Sequence, residues 1–196
     1  MNQIINDVKI AGTGSYVPYG RVTNKTLECL VVDTSAKWIQ ENLGILERYI
    51  VSQELTSDLA AQAARRAIED AGLTVDNIDL IIVATATPDR LAPSTACIVQ
   101  DKIKAYHAVC FDLNAVCSGF LFAMSIAAQL VSDGIYKNAL IIGADTFSRI
   151  TDWTKRDCVY FGDGAGAAVI NWQSSVNSWQ SAVGSSLSPD GISIIL

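Results

Sequence analysis

Two stretches constrain this chain more than any others. Residues 78–86 and 138–143 are runs made nearly all of β-branched or small apolar residues, without the polar alternation of a half-exposed strand. Strands of that kind are covered on both faces. Helical patterns lie between and around them. Ala60, Ala63, Ala67, Ile68 and Ala71 share one helical face, with Ser57 as the expected cap and Gly72 as the stop. Strands that alternate with helices predict an α/β fold with a sheet between helices.

The other segments fill in around this frame. Residues 8–16 read as a strand closed by the Pro18-Tyr19-Gly20 turn. Thr23 or Asn24 caps a short helix through Val31, and Ser35 caps a second through Leu43, stopped by Gly44. Residues 46–52 and 108–113 read as strands. Pro93 fits the first turn of a helix running to about Lys104. A long buried helix is expected from Cys117 to Ser132, ending at Gly134. Then come a charged loop (151–161), a glycine-rich turn (162–166), a strand (167–171) and a last strand (179–187) in hairpin fashion.

Composition bounds the function. Hydrophobic residues make up 50% and charged residues 17%, so much surface is buried, in the core or against a partner. The net charge of −6 argues against nucleic acid and anionic membranes as partners. The five cysteines are odd in number and form no CxxC pair, which argues against a zinc site or a disulfide framework. The N-terminus has no basic start followed by an apolar block, as a signal peptide would. The apolar run 119–131 is shorter than the roughly 20 residues of a membrane span. A soluble, cytoplasmic protein is expected. The apolar end Ile194-Ile195-Leu196 suggests a chain that continues or is completed by another chain.

The sharpest chemical signal is Asn114-Ala115-Val116-Cys117-Ser118-Gly119-Phe120. Here a strand ends and an apolar helix begins. A thiol at that point meets the free N–H groups and positive dipole end of a helix, which favour thiolate. Ala115, Ser118 and Gly119 leave room for a thioester, and the Cys117 N–H is a candidate oxyanion donor. By position alone, Cys117 is equally well a small buried core residue. Cys29, Cys97, Cys110 and Cys158 lack this context and read as core.

The wider pattern tips that balance towards the nucleophile. In order along the chain come Ile10-Ala11-Gly12-Thr13-Gly14-Ser15-Tyr16-Val17-Pro18, Asp33-Thr34-Ser35 with Trp38 and Ile39, Gly44-Ile45 with Glu47-Arg48, and Ala84-Thr85-Ala86-Thr87-Pro88. Pro93-Ser94-Thr95-Ala96-Cys97, the Cys117 segment and Phe161-Gly162-Asp163-Gly164-Ala165-Gly166-Ala167-Ala168 follow. The chain thereby resembles ketoacyl-acyl-carrier-protein synthase III. The resemblance implies a thiolase-like fold, of which this is the first half of a two-half α/β/α/β/α architecture. Residues 1–172 would form that half and residues 173–196 the start of the connection to a second.

The resemblance also implies roles. Cys117 matches the nucleophile, acylated by acyl-coenzyme A, or alternatively by an acyl carrier protein, before decarboxylative condensation with malonyl-acyl carrier protein. The family's catalytic histidine and asparagine belong to the second half. His107, the one histidine, matches neither. Trp38 matches the tryptophan that stacks on the adenine of coenzyme A, with Thr34 beside it and Arg156 on the other side of the base. Asn42 stands where the family has an arginine. Ala92 stands where a bulky aromatic restricts the primer in the dimer mate's acyl pocket, so a roomier pocket is expected. No cofactor is implied beyond the coenzyme A thioester as substrate. The expected partners are acyl-coenzyme A, acyl carrier protein and either a second copy or a chain supplying the other half. A non-catalytic half, kept as a structural or dimerisation partner or as a truncated remnant, is the alternative. Thiolases and hydroxymethylglutaryl synthases share the fold. The sequence Gly162–Ala168 is not a dinucleotide loop, because a strand pattern follows it, not a helix.

Overall fold

The computed structural model describes residues 7–30 and 33–173. The helix end at Val31, the expected strand at 179–187, the apolar end and all but the first residue of the 173–196 segment lie outside the described residues.

Seven strands and five helices are described. They are β1 (Asp7–Tyr16), β2 (Gly20–Thr23), α1 (Asn24–Leu30), α2 (Ala36–Leu43), β3 (Glu47–Ile50), α3 (Thr56–Asp70) and β4 (Leu80–Ala84). Next come α4 (Thr95–Ile103), β5 (Val109–Leu113), α5 (Gly119–Ser132), β6 (Asn138–Thr146) and β7 (Asp163–Gln173). Five strands form one mixed sheet in the order β1-β7-β6-β4-β5. β4 runs parallel to β5 and β6, and β7 is antiparallel to β6 and β1. β2 and β3 form a separate antiparallel pair, joined through α1 and α2.

The two apolar runs are the centre of the sheet. Every residue of β4 is buried. Ile81 and Val83 face α3 and α4 in one cluster, whereas Leu80 and Ile82 face Ala123, Ala127 and Val131 of α5 in another. Successive side chains of one strand thus enter two cores, as period-2 geometry demands. The small face of α3 lets β1 approach closely. A Cβ at Gly14 would lie 2.3 Å from the Ala63 carbonyl oxygen, and one at Gly12 would lie 2.3 Å from the Ala71 nitrogen.

Several local expectations hold. Ser35 caps α2 by accepting from the Trp38 N–H at 3.1 Å, and Gly44 ends it at φ +69°. Thr23 accepts from the Thr26 N–H at the start of α1. Others change. Ser57 is not the cap of α3. The helix starts at Thr56, and the Asp58 carboxylate, a stronger acceptor, takes the Leu55 N–H at 2.8 Å. Pro93 follows Ala92 through a cis bond and precedes α4. Ser94 caps that helix, and Asp112 of β5 accepts from the Thr95 and Ala96 N–H groups. The glycine-rich 162–166 stretch is no turn. Gly164 and Gly166 belong to β7: Gly164 pairs with Asp145 of β6, and Gly166 is paired on both sides, with Ser15 and Gly143. The helix after Cys117 is not buried all round. Ala123, Ala127 and Val131 are covered, but Leu121 is 64% and Phe122 53% exposed.

Candidate active site

Between β5 and α5 the chain reverses within a few residues. Val116 has φ +48°, a left-handed conformation that a β-branched residue rarely adopts. That kink breaks the helical ladder, so Val116–Ser118 form a single 3-10 turn and α5 begins only at Gly119. Cys117 therefore sits in the turn before the helix, not as its first residue. Its side chain is exposed. It lies in a cavity of about 480 Å³ whose walls include Val17, Ala84, Phe120, Asp145, Gly164 and Gly166. Glycines keep the walls close without filling the space. A Cβ at Gly143 would crowd Phe120 at 3.2 Å, whereas one at Gly166 would meet nothing within 4 Å.

Trp38 and Arg156 meet some distance along the chain from one another. The Arg156 guanidinium carbon lies 4.0 Å from the centre of the Trp38 ring, in direct cation–π contact. With Asp157, Val159 and Tyr160 they line a cleft of about 160 Å³. Thr34, just ahead of the Ser35 cap, has a buried hydroxyl without a hydrogen-bond partner. The Asn42 amide is spent on its own helix, donating to the Trp38 carbonyl at 2.9 Å. Ala92 is exposed beside Leu91, in a loop that is no part of the Cys117 cavity walls. His107 precedes β5 whereas Cys117 follows it, so the imidazole is at the far end of that strand.

A profile described as 3-oxoacyl-[acyl-carrier-protein (ACP)] synthase III matches residues 111–190. The beta-ketoacyl-[acyl-carrier-protein] synthase III of Clostridium acetobutylicum is 55% identical over 167 residues, which are 85% of this chain and 51% of that protein. The crystal structure of 3-oxoacyl-[acyl-carrier-protein] synthase III from Aquifex aeolicus VF5 superposes with a TM-score of 0.82 at 47% identity, over 84% of this chain and 54% of the other. Over that shared span the chain matches synthase III. It spans about half the length of the relatives it matches, as a first half would. The fold is thiolase-like. A priming beta-ketosynthase from the R1128 polyketide biosynthetic pathway superposes nearly as well, with a TM-score of 0.81 at 34% identity, over 85% of this chain and 50% of the other.

Two carboxylates tie the surroundings of this cavity together over long range. Asp145 lines the Cys117 cavity. Its Oδ1 accepts from the Thr85 hydroxyl, the Ala86 and Thr87 N–H groups and the Thr87 hydroxyl, at 2.8–3.1 Å. It thereby pins the loop that leaves β4. Asp163 does the same at the start of β7, accepting from the Val51 N–H at 2.7 Å and from the Ser148 N–H and hydroxyl. Both carboxylates are satisfied without a cation. Trp153 packs with Leu27, Ile39 and Val159 and donates to the Ser148 carbonyl. Among the described residues, no three potential metal ligands cluster. No described helix is long and apolar enough to cross a membrane.

Proposed function

We propose that this chain is the acyl-accepting half of a β-ketoacyl-acyl-carrier-protein synthase III. The Cys117 thiolate attacks the carbonyl of an acyl-coenzyme A. A new C–S bond forms, the thioester C–S bond breaks, and coenzyme A leaves as its thiol. The acyl enzyme then condenses with malonyl-acyl carrier protein, losing carbon dioxide, once a second half supplies histidine and asparagine. The observation that carries this reading is the exposed Cys117 at a positive-φ elbow, facing a cavity walled by glycines. No group other than the thioester substrate is needed for the acylation step.

The Trp38–Arg156 cleft supports a coenzyme A donor. A flat base fits between an indole face and a guanidinium, and Thr34 stands a turn ahead of Trp38 with a hydroxyl that makes no hydrogen bond within the chain. To admit the base, the two groups must part by roughly one stacking distance, about 3.5 Å. Ala92 leaves the primer pocket of a partner subunit unobstructed on this reading, so acyl chains longer than acetyl are accepted. A soluble, cytoplasmic dimer, or an assembly with a chain supplying the second half, would house the complete site.

A second reading has its own observation. Leu121, Phe122 and Ile126 leave one face of α5 apolar and uncovered among the described residues. That fits a half kept only for packing or dimerisation. Intact mass measurement after incubation with acetyl- and octanoyl-coenzyme A separates the two. Adducts from both donors that vanish in Cys117→Ala support the synthase. Absence of any adduct on a folded chain favours the non-catalytic half, and strict preference for acetyl removes the Ala92 argument.

A further inference from the structure

Arg48 is the one buried cation of the described core, 5% exposed. No carboxylate pairs with it among the described residues. Its Nη1 donates to Asn24 Oδ1 at 2.8 Å and its Nη2 to the Val159 carbonyl at 2.7 Å, while Nε has no partner. Asn24 in turn donates to the Ile45 carbonyl at 2.6 Å. This chain of bonds ties the start of α1 and strand β3 to the 3-10 turn Arg156–Tyr160. On its other side the Arg48 stem lies against Gly162, where a Cβ would come within 3.0 Å of the Arg48 Cβ.

The two contacts belong to different sites. Val159 lines the Trp38–Arg156 cleft, and Gly162 lines the Cys117 cavity. One side chain therefore touches both ends of the short segment that separates them. Burying a cation without a carboxylate is costly, and burial holds this guanidinium below its ordinary range. An apolar side chain of similar volume would pack there at less cost. It could not grip a carbonyl on a distant turn.

We propose that Arg48 is a positioning residue for the coenzyme A donor: by holding the Val159 carbonyl it fixes Arg156 over Trp38 and sets the offset between the nucleotide cleft and Cys117. This rests on the acyl-transfer reading above. Arg48 touches no substrate atom in this scheme. Its removal misplaces the nucleotide relative to the thiol, and displacements of about 1 Å cost up to a hundredfold in rate.

The test compares wild type, Arg48→Met, Arg48→Lys and Asn24→Ala. Two readouts are used: binding of adenosine 3′,5′-bisphosphate, followed by tryptophan fluorescence, and the rate of Cys117 acetylation measured by mass. Acetylation is driven either by acetyl-coenzyme A or by S-acetyl-N-acetylcysteamine, which lacks the nucleotide. Circular dichroism establishes that each variant is folded. Arg48→Met is expected to weaken nucleotide binding about tenfold or more, and to slow acetylation by acetyl-coenzyme A about tenfold more than by the short thioester. Arg48→Lys keeps one donor and recovers part of the loss, and Asn24→Ala reproduces part of it. Equal losses with both donors, or unchanged nucleotide binding in a folded Arg48→Met, overturn the assignment. A folded wild type that neither binds the nucleotide nor takes acetyl from coenzyme A overturns the underlying reading and the assignment with it. If Arg48→Met does not fold, the two milder variants decide by the same ratio.

Discussion

At the scale of single residues, the cysteines divide sharply. Cys117 and Cys29 are exposed, Cys158 is buried, and Cys110 sits half-buried with its sulfur 3.4 Å from that of Cys97. Burial, then the contact with Cys97, pushes the Cys110 thiol up to about 12, and burial pushes Cys158 up as well. At pH 8 a thiol at about 12 is thiolate in roughly one molecule in ten thousand. Iodoacetamide at that pH is therefore expected to label Cys117 and Cys29 and to spare Cys110 and Cys158 until the chain unfolds, as peptide mapping would show. The sign for stability follows. A native thiol that ionises later than the unfolded one stabilises the fold below pH 9, and that contribution fades between about pH 9 and 12. The elbow that exposes Cys117 was legible in the sequence because its signal is local, a thiol where a strand gives way to a helix. Arg48, Asp145 and Asp163 were not, because each acts on a backbone group far along the chain. Arg48 reaches Val159 and Asp163 reaches Val51, pairings that no local pattern announces.

At the scale of elements, the same logic sorts what could be read. Caps and stops made by neighbours, such as Ser35 and Gly44 around α2, followed from the sequence. The start of α4 did not, because Asp112 on another strand supplies its acceptors. The glycines of β7 looked like a turn, since nothing in the sequence shows that β1 and β6 flank them. Position in the sheet also decides what a glycine tolerates. Gly14→Ala drives a methyl into the backbone of α3 and is expected to cost on the order of 3 kcal/mol or more, or to prevent folding. Gly166→Ala enters open space and is expected to change stability by less than about 1 kcal/mol. Urea denaturation of both variants checks the contrast. Similar losses in the two would mean that β1 does not lie on α3 as described.

At the scale of the whole molecule, α5 presents Leu121, Phe122 and Ile126 outward from a helix whose other face is core. Burying one such side chain is worth about 1.5–3 kcal/mol, so the isolated chain is expected to self-associate or to capture a complementary half. Sedimentation at micromolar concentration is expected to show association that Leu121→Gln with Ile126→Gln reduces. A wild-type chain that stays monomeric and folded would count against it. The layered α/β architecture and the order of its strands and helices were legible from the two apolar runs, which admit no half-exposed sheet. The open face of α5 was hidden, because a helix apolar all round does not say which side its own chain covers. The sheet order adds a matter of timing. Among the described strands, β1 is made first and pairs only with β7, which is made last. On a ribosome adding about 5–20 residues per second, β1 waits roughly 8–30 s for its partner strand. Through that interval β1 has helices α3 and α5 to rest on but no strand beside it, so the newborn chain carries an unpaired strand that chaperones have time to find.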